Sequence, residues 1–390
     1  MTGIARIAVC GAWVVACGAG LLRAPACAQE EPADAAEKPE DEVRRRVVGS
    51  IVFPPRNAKA RELSALKLLT PDVRGITHKA LRYIRSSQQA DGSWGDKEYP
   101  KSSRTTALCC MALMAQGSLP RVGHFGKPLD KGIAFLLSCE KENGLLVAKD
   151  THKYGPMYDH VWATLVLLQS YGNCPWYTDM GQKISRALQA ILRSQKTDGG
   201  WRYSVSPLGQ SCVPVTADVM VTLRLGRLSG FGVPEEALRK AEAFVLRCGE
   251  PQQPEGAGTF SYREYGERGI PSTTAAGLVA LFSRGLYDHK YVQPCVDRIE
   301  YAYRRARLED FRTSLQFRNF HHGCYYVSQT MYIAGDKYWV PWYTKSAAFL
   351  KETQADDGSF RGQHGNKVSP TAISALILQA PLGYMPQYLR

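Results

Sequence analysis

The sequence predicts an all-α protein in which six pairs of helices close into a ring, an (α/α)6 toroid. Two observations carry this prediction. One unit recurs six times along the chain, and each unit has an amphipathic stretch followed by a stretch that is apolar on nearly all sides. Such units bury their apolar faces only against neighbouring units. A closed ring is favoured because an open stack would leave an apolar inner helix uncovered at each end.

The most complete copy of the unit runs from Lys79 through Gln88 and Asp91-Gly92 to Trp94. Its first part has apolar residues at helical spacing, and the Asp-Gly pair ends the helix. Two further full copies and three weaker ones begin at Arg186, Lys345, Lys131, Lys240 and Cys295. In the full copies, an amide is expected to bond free backbone groups at a helix end while an aromatic ring packs beside it. The residues concerned are Gln88, Trp94, Gln195, Trp201, Gln354 and Phe360.

The second helix of each unit is rich in small and apolar residues, which is typical of a helix buried all round. These inner helices are predicted over residues 105–117, 161–172, 216–226, 273–285, 324–335 and 371–379. Because their amino ends carry unpaired N–H groups and a positive dipole end, we expect chemistry where they begin, around the mouth of a central cavity.

Two segments precede the ring. Residues 1–28 are predicted to be a signal peptide: Arg6 precedes an apolar run, and Ala26-Cys-Ala28 is a small-residue cleavage signal. The chain is therefore expected to be exported, to the periplasm, the cell surface or the medium. Lipidation at Cys17 is the alternative, and membrane contact is expected only in that case. Residues 29–70 are interpreted as an acidic and then basic linker with its lead-in, and residues 71–390 as the ring.

The chain carries 49 basic and 36 acidic residues, a formal net charge of +13. The charge is dispersed and no nucleic-acid motif accompanies it, so no nucleic-acid partner is expected. An exported basic protein attracts acidic sugars or lipid head groups at long range. Eight cysteines follow the signal peptide. Several of them stand at small apolar positions within helices, which favours mostly free thiols over disulfides.

The starts of the inner helices supply the candidate site. His322, His160 and Tyr325 are interpreted as catalytic candidates, because imidazole and phenol serve as bases near neutral pH when their neighbours tune them. The candidate ligand contacts are Arg104, Asp159, Trp162, Cys212, His321, Cys324 and Tyr326. Aromatic side chains among them suit an isoprenoid ligand as well as a sugar-like one.

The three full repeats resemble the QW repeats of squalene–hopene cyclases. Over residues 70 to 385 the units are similar to the toroid that terpenoid cyclases share with protein prenyltransferase β subunits. Hopene cyclases would carry Asp-x-Asp-Asp-Thr-Ala at the start of the third inner helix, whose central acid protonates an alkene. Here the aligned residues are Cys212-Val-Pro-Val-Thr216-Ala217. The resemblance therefore implies the fold without proton-initiated cyclisation; Asp218 lies beyond the segment, inside the helix.

The segment His322-Gly-Cys324-Tyr325 resembles the His-Thr-Cys-Tyr segment of prenyltransferase β subunits, whose histidine binds zinc. The other two ligands, Asp-x-Cys, are replaced by Ser272-Thr-Thr274. Because tetrahedral zinc sites use at least three protein ligands, no cofactor is expected, and zinc stays an alternative.

A third interpretation comes from toroidal polysaccharide lyases, which use histidine, tyrosine or arginine beside a uronate carboxylate. The chain offers Arg104, Tyr158, His160 and the segment around His322 for such a site. From the sequence we therefore expect an exported ring protein that binds an apolar or sugar-like ligand, a lipid or isoprenoid or an acidic sugar, in its central cavity without proton-initiated cyclisation. The alternative is an active enzyme, either an atypical isoprenoid cyclase or transferase, or a polysaccharide lyase.

Overall fold

The computed structural model describes residues 65–149, 155–249, 258–266, 269–307, 310 and 320–383; the predicted signal peptide and most of the linker lie outside them. Over these residues it has twelve α-helices, alternately outer and inner. The outer helices are α1 (Pro71–Ser86), α3 (Gly126–Ser138), α5 (Met180–Arg193), α7 (Glu235–Cys248), α9 (Val292–Arg305) and α11 (Asp336–Thr353). The inner helices are α2 (Ser103–Ala115), α4 (Met157–Ser170), α6 (Val213–Leu228), α8 (Pro271–Ser283), α10 (Phe320–Ala334) and α12 (Val368–Gln379).

The six inner helices form a closed ring. Each of them packs against the next in chain order, and α12 packs back against α2. The outer helices follow the same closure, because α11 contacts α1. The predicted all-α toroid of six helix pairs is thus confirmed, and the space that the inner helices enclose is called the lumen below.

The two kinds of helix differ in burial as the sequence pattern predicts. In α1 the buried residues lie on one face, at Val73, Thr77, Ala80, Leu81 and Ile84. In α2 every residue except Arg104 is buried. A helix that is buried all round must be covered on each side by other helices, so the inner ring is the core of the molecule.

The inner helices begin two to four residues earlier than the apolar pattern of the sequence predicts. Ser102 caps α2 by accepting a hydrogen bond from the Thr105 amide. Proline stands in the first turn of α6 and α8, where its missing N–H costs nothing. The earlier start matters for the site, because it brings Arg104, Tyr158 and His322 into the first turns of their helices.

The predicted fastening role of the repeat residues is confirmed. Gln88 Nε2 donates to the carbonyl of Pro128 in the next outer helix at 2.8 Å. Gln195 and Gln354 make the equivalent bonds, to the carbonyls of Ala237 and Ile76. The indoles of Trp94 and Trp201 are fully buried and donate to the carbonyls of Ile84 and Ile191. The bond of Gln354 joins the last outer helix to the first and so closes the ring.

A glycine beside each full repeat lies directly against the next outer helix. Gly199 has φ +97°, and a Cβ there would stand 2.5 Å from the Lys240 carbonyl oxygen. Gly358 has φ +85°, and its Cβ would stand 2.5 Å from the Lys79 carbonyl oxygen, across the seam between the last unit and the first. The same close approach therefore holds units together inside the ring and at its closure.

All eight cysteines of the described residues are buried and free: Cys109, Cys110, Cys139, Cys174, Cys212, Cys248, Cys295 and Cys324. This agrees with the expectation of mostly free thiols. Among the helices described here, none combines the length and apolar character needed to cross a membrane.

Candidate functional site at the mouth of the ring

Inward-pointing side chains of four inner helices meet in two layers inside the lumen. The lower layer consists of Trp162, Asp218 and Tyr326, on α4, α6 and α10. The upper layer consists of Arg104, Tyr158 and His322. Tyr158 and His322 precede Trp162 and Tyr326 by four residues, which is one helical turn towards the amino ends. The upper layer therefore lies nearer the end of the ring where the inner helices begin, which we call the mouth.

The lower layer is held together by hydrogen bonds to one carboxyl group. Trp162 Nε1 donates to Asp218 Oδ2 at 3.0 Å. Tyr326 Oη lies 2.9 Å from Asp218 Oδ1 and 3.3 Å from the carbonyl oxygen of Pro214. All three side chains are buried, with 1%, 7% and 2% of their surface accessible. Asp218 is thus an acid enclosed by aromatic rings in the middle of the molecule.

Aromatic side chains bridge the lumen at this depth. Helices α4 and α10 are the second and fifth of the six inner helices and face each other across the ring. The rings of Trp162 and Tyr325 nevertheless lie only 5.3 Å apart. One turn higher, the rings of Tyr158 and His322 meet edge to face at 5.5 Å. Large side chains from opposite walls of the expected central cavity thus meet at this depth of the lumen.

The upper layer keeps part of its surface accessible. Arg104, Tyr158 and His322 are each half-buried, in contrast to the lower layer. The guanidinium carbon of Arg104 stands 5.0 Å from the centre of the Tyr158 ring, within the range of a cation–π contact. The Tyr203 ring also lies beside Tyr158, with ring centres 5.6 Å apart. Together these residues form the floor of the mouth.

Burial sets the charge states of the two layers. It lowers the pKa of His322 to about 3, and the charge of Arg104 adds to this effect. It raises the pKa of Tyr158 well above its usual value. Both side chains are therefore neutral at pH 7, and the Arg104 guanidinium is the cation among them. Burial also raises the pKa of Asp218 to about 7, against the opposing effects of Tyr326, Arg104 and Trp162.

The hydrogen bonds around Asp218 accommodate a proton. When Asp218 is protonated, its hydroxyl donates to Tyr326 Oη, and the Tyr326 hydroxyl donates to the Pro214 carbonyl oxygen. When Asp218 is ionised, the tyrosine donates to the carboxylate instead. Trp162 Nε1–H is satisfied in both states. Asp218 can consequently gain and lose a proton without leaving a buried donor unpaired.

Asp218 is not among the residues expected at the site, although the sequence contains a signal for it. Pro214 aligns with the central acid of the hopene-cyclase segment, which this chain lacks, and Asp218 follows Pro214 by four residues. Residues four apart share one face of a helix. An acid thus does lie below that position, one turn deeper in the lumen.

His160 does not join this group. Its Nδ1 accepts from the Leu146 amide at 3.0 Å, and its Nε2 then donates to the Ala187 carbonyl at 3.1 Å. The side chain is fully buried, and burial lowers its pKa to about 4. Both nitrogens of His160 are thus bonded to backbone, and in this arrangement neither is directed at the two layers, as its expected catalytic role would require. The matching position in other inner helices carries Thr106, Thr216, Thr274 and Thr371, which bond the backbone in the same way.

Asp159 is also placed away from a ligand. Its Oδ1 accepts from the Ser103 hydroxyl at 3.0 Å and from the Arg104 amide at 3.1 Å, and Ser102 lies 3.4 Å away. The carboxylate thus caps the amino end of α2 from the neighbouring inner helix. It supports the position of Arg104 rather than presenting an oxygen to the mouth.

The remaining candidates flank the two layers. His321 contacts Ser374 through Nδ1 and the Arg361 carbonyl through Nε2, at 3.1 and 3.2 Å. Cys324 is buried, and burial raises the pKa of its thiol. Cys212 is buried beside Tyr262, and its thiol pKa is likewise raised by burial. Of the predicted ligand contacts, the structure brings together Arg104, Trp162 and Tyr326 with His322 and Tyr325.

The side chains of the two layers provide few ligands for a metal ion. Across the described ranges, no three His, Cys, Asp or Glu side chains converge as ligands. His322 is the one predicted zinc ligand in the two layers, and its neighbours there are rings and a guanidinium. A cation such as Arg104 does not favour a second positive charge nearby. The chemistry that these side chains support is binding, and proton transfer through Asp218.

No protein-family model and no curated protein matches the sequence. Solved structures do share its fold. The type II terpene cyclase MstE from Scytonema is 14% identical, with a TM-score of 0.52 over 80% of this chain and 100% of that one. The family 76 glycoside hydrolase (mannosidase) Bt3792 from Bacteroides thetaiotaomicron is 11% identical, with a TM-score of 0.54 over 80% and 98%. A protein from Actinoplanes is 16% identical, with a TM-score of 0.53 over 79% and 98%. At these identities the similarity is one of fold, the α/α toroid.

Proposed function

We propose that this chain is an exported binding protein that holds a small, sugar-like molecule at the mouth of the ring, over Tyr158 and His322. One observation carries the proposal: the lumen is bridged at Trp162 and Tyr325, while the layer above keeps accessible aromatic and polar groups. Ligand sites typically combine an aromatic lining with a few polar groups that fix orientation. The mouth has this composition, whereas a long apolar ligand would need the bridged depth below.

The comparisons are compatible with a small-molecule ligand, since the neighbours with this fold include a mannosidase and a terpene cyclase solved with its geranylgeranyl dihydroxybenzoate substrate. Export rests on residues 1–28 of the sequence. Amino-terminal sequencing of the protein recovered from outside the cytoplasm tests it. A start at Gln29 supports the proposed cleavage, a lipid-modified Cys17 supports the anchored form, and an intact Met1 confined to the cytosol contradicts both.

The ligand proposal is tested by calorimetric titration with neutral and acidic oligosaccharides. Tyr158→Leu removes the ring at the centre of the floor, and we expect it to weaken binding by about tenfold or more. Tyr301→Leu, on the outer helix α9 and 49% exposed, is the matched control and should bind as the parent does. Equal affinity of the Tyr158 variant and the parent would contradict a site at the mouth.

A second function is favoured by one observation, the buried Asp218 with a pKa of about 7 among aromatic rings. A protonated carboxyl there can donate its proton to an alkene, and Trp162, Tyr325 and Tyr326 can stabilise the resulting cation. This candidate is an isoprenoid enzyme, and it requires the bridging rings to move apart. Incubation with squalene or a geranylgeranyl substrate, followed by mass spectrometry, tests it. A cyclic product that Asp218→Asn abolishes would support this function over simple binding.

A further inference from the structure

Two nitrogen atoms of the upper layer are buried without a hydrogen-bond partner in the described part of the chain: Arg104 Nε and His322 Nε2. A buried donor without an acceptor costs about 1 to 3 kcal/mol, more when it is charged. The cost falls when a ligand supplies the acceptor. Both atoms belong to side chains that contact the same ring, Tyr158: the Arg104 guanidinium carbon lies 5.0 Å from the centre of that ring, and the centre of the His322 ring lies 5.5 Å from it. The charge of Arg104 also lowers the pKa of His322, so the two side chains lie near each other.

The distribution of charge in the upper layer also favours an anion. Arg104 is the cation of the upper layer, and the acid that it influences, Asp218, has its two oxygens engaged by Trp162 and Tyr326. The Asp159 carboxylate is engaged with the amino end of α2. Neither acid is directed at the Arg104 side chain by these bonds. A partly buried guanidinium in this setting attracts an anion more strongly than one in water does.

We propose that Arg104 and His322 bind an oxyanion of the ligand, a carboxylate or a phosphate, above Tyr158. This deepens the proposed function and rests on it. The Nε–H and one terminal N–H of Arg104 form a fork that matches two oxygens of such a group. The neutral imidazole of His322 donates from Nε2 in the tautomer that carries the proton there. The ligand is then an acidic sugar, a uronate or a sugar phosphate.

The experiment follows the histidine side-chain NMR resonances of the full-length mature protein during titration with glucuronate, glucose and inorganic phosphate. Glucose is the matched neutral probe for glucuronate. We expect a saturable shift of the His322 resonance with glucuronate or phosphate, a much weaker response to glucose, and loss of affinity at high salt. Whichever of the two anions saturates at the lower concentration identifies the head group.

Arg104→Gln removes the charge and the guanidinium fork but keeps a polar side chain, and should weaken anion binding by about 10- to 100-fold. Arg104→Lys keeps the charge without the fork and should lose less. Arg239→Gln, exposed on the outer helix α7, changes the net charge equally and should bind as the parent does. All variants are compared at equal folded fraction. If Arg104→Gln does not fold, the anion affinity of Arg104→Lys and the salt dependence of binding by the parent test the proposal.

The outcomes separate the two proposals. Equal shifts with glucose and glucuronate, unchanged in Arg104→Gln, would end the oxyanion inference and leave a sugar site at the mouth. No shift with any probe would overturn both. Saturable anion binding that Arg104→Gln weakens and Arg239→Gln does not would support both.

Discussion

The role of a single residue in this ring depends on which side of an inner helix it occupies. Residue type alone does not reveal that side. His160 and His322 both stand near the start of an inner helix. The first faces outward and bonds the backbone of two other segments, while the second faces the lumen. The same holds for Asp218, since the residue type of an acid inside an apolar helix does not show which side of the helix it faces. The repeat register does give it: threonines at the position of His160 identify that position as structural.

Asp218→Asn tests the buried acid through the pH dependence of stability. Burial raises its pKa from the usual acidic range to about 7 in the folded protein, so the folded state holds a proton that the unfolded state releases. The stabilisation from this group is full below the unfolded pKa and is lost as pH rises to about 7. We expect the parent to lose about 2 to 3 kcal/mol relative to the variant between pH 5 and pH 8.

Urea unfolding of both proteins at several pH values measures this difference. Three histidines, His160, His321 and His322, have lowered pKa values, so their contribution to stability increases as pH rises, opposite to that of Asp218. They are common to parent and variant and cancel in the comparison. A difference in unfolding free energy that stays constant from pH 5 to pH 8 would mean that Asp218 is ionised throughout.

His160→Ala separates a structural histidine from a functional one. The change removes two buried hydrogen bonds, to the Leu146 amide and the Ala187 carbonyl, and leaves a small cavity. We expect a loss of about 2 to 4 kcal/mol in stability and unchanged ligand affinity at equal folded fraction. The matched control, His78→Ala on the exposed face of α1, should change stability by less than about 0.5 kcal/mol. Loss of binding in His160→Ala would restore it to the functional site.

The sequence specifies the helices of this ring through the spacing of their apolar residues more than through the residues at the helix ends. The alternation of one-faced and fully buried helices could be read from the sequence because apolar spacing reflects packing directly. The starts of the inner helices could not, since serine caps and first-turn prolines extend them before the apolar pattern begins. That extension decides the site, because Arg104, Tyr158 and His322 lie within it.

Two glycines in outer helices test packing at the level of these elements. Gly132 in α3 faces the core, and a Cβ there would stand 2.5 Å from Cys110 Sγ and 2.9 Å from the Trp94 ring. Gly132→Ala should therefore destabilise the protein by about 1 to 3 kcal/mol through overpacking. Gly75 in α1 has open space around it, so Gly75→Ala should stabilise by up to about 1 kcal/mol through helix propensity. Thermal unfolding measures both, and a stabilising Gly132→Ala would contradict the close fit of α3 on Trp94.

The architecture of the ring can be predicted from the repeat of the sequence unit. Recurrence of the unit predicts the number of helix pairs, and the glutamine and aromatic positions predict how neighbouring units are fastened. The filling of the lumen could not be predicted, because it depends on side chains that are far apart in the sequence and meet only across the closed ring, as Trp162 and Tyr325 do. Closure itself joins residues 278 apart, through Gln354 and the Ile76 carbonyl.

Three glycine substitutions test whether the ring is closed in solution. Gly358, Gly199 and Gly172 all have positive φ angles, of 85°, 97° and 91°, so alanine is strained at each of them. Gly172 has open space around it, and Gly172→Ala should cost only this strain, about 1 to 2 kcal/mol. Gly199→Ala also pushes against the backbone at Lys240 inside the ring, and should cost about 1 to 3 kcal/mol more.

Gly358→Ala makes the equivalent clash with the backbone at Lys79, across the seam between the last unit and the first. If the seam is closed, α1 cannot retreat without breaking the Gln354 bond and the ion pair of Lys351 with Asp72. The cost should then match that of Gly199→Ala, and unfolding should stay a single transition. Denaturant unfolding of the three variants gives the comparison. A cost for Gly358→Ala no larger than that of Gly172→Ala would mean that α1 moves away freely and that the ring is open at this seam.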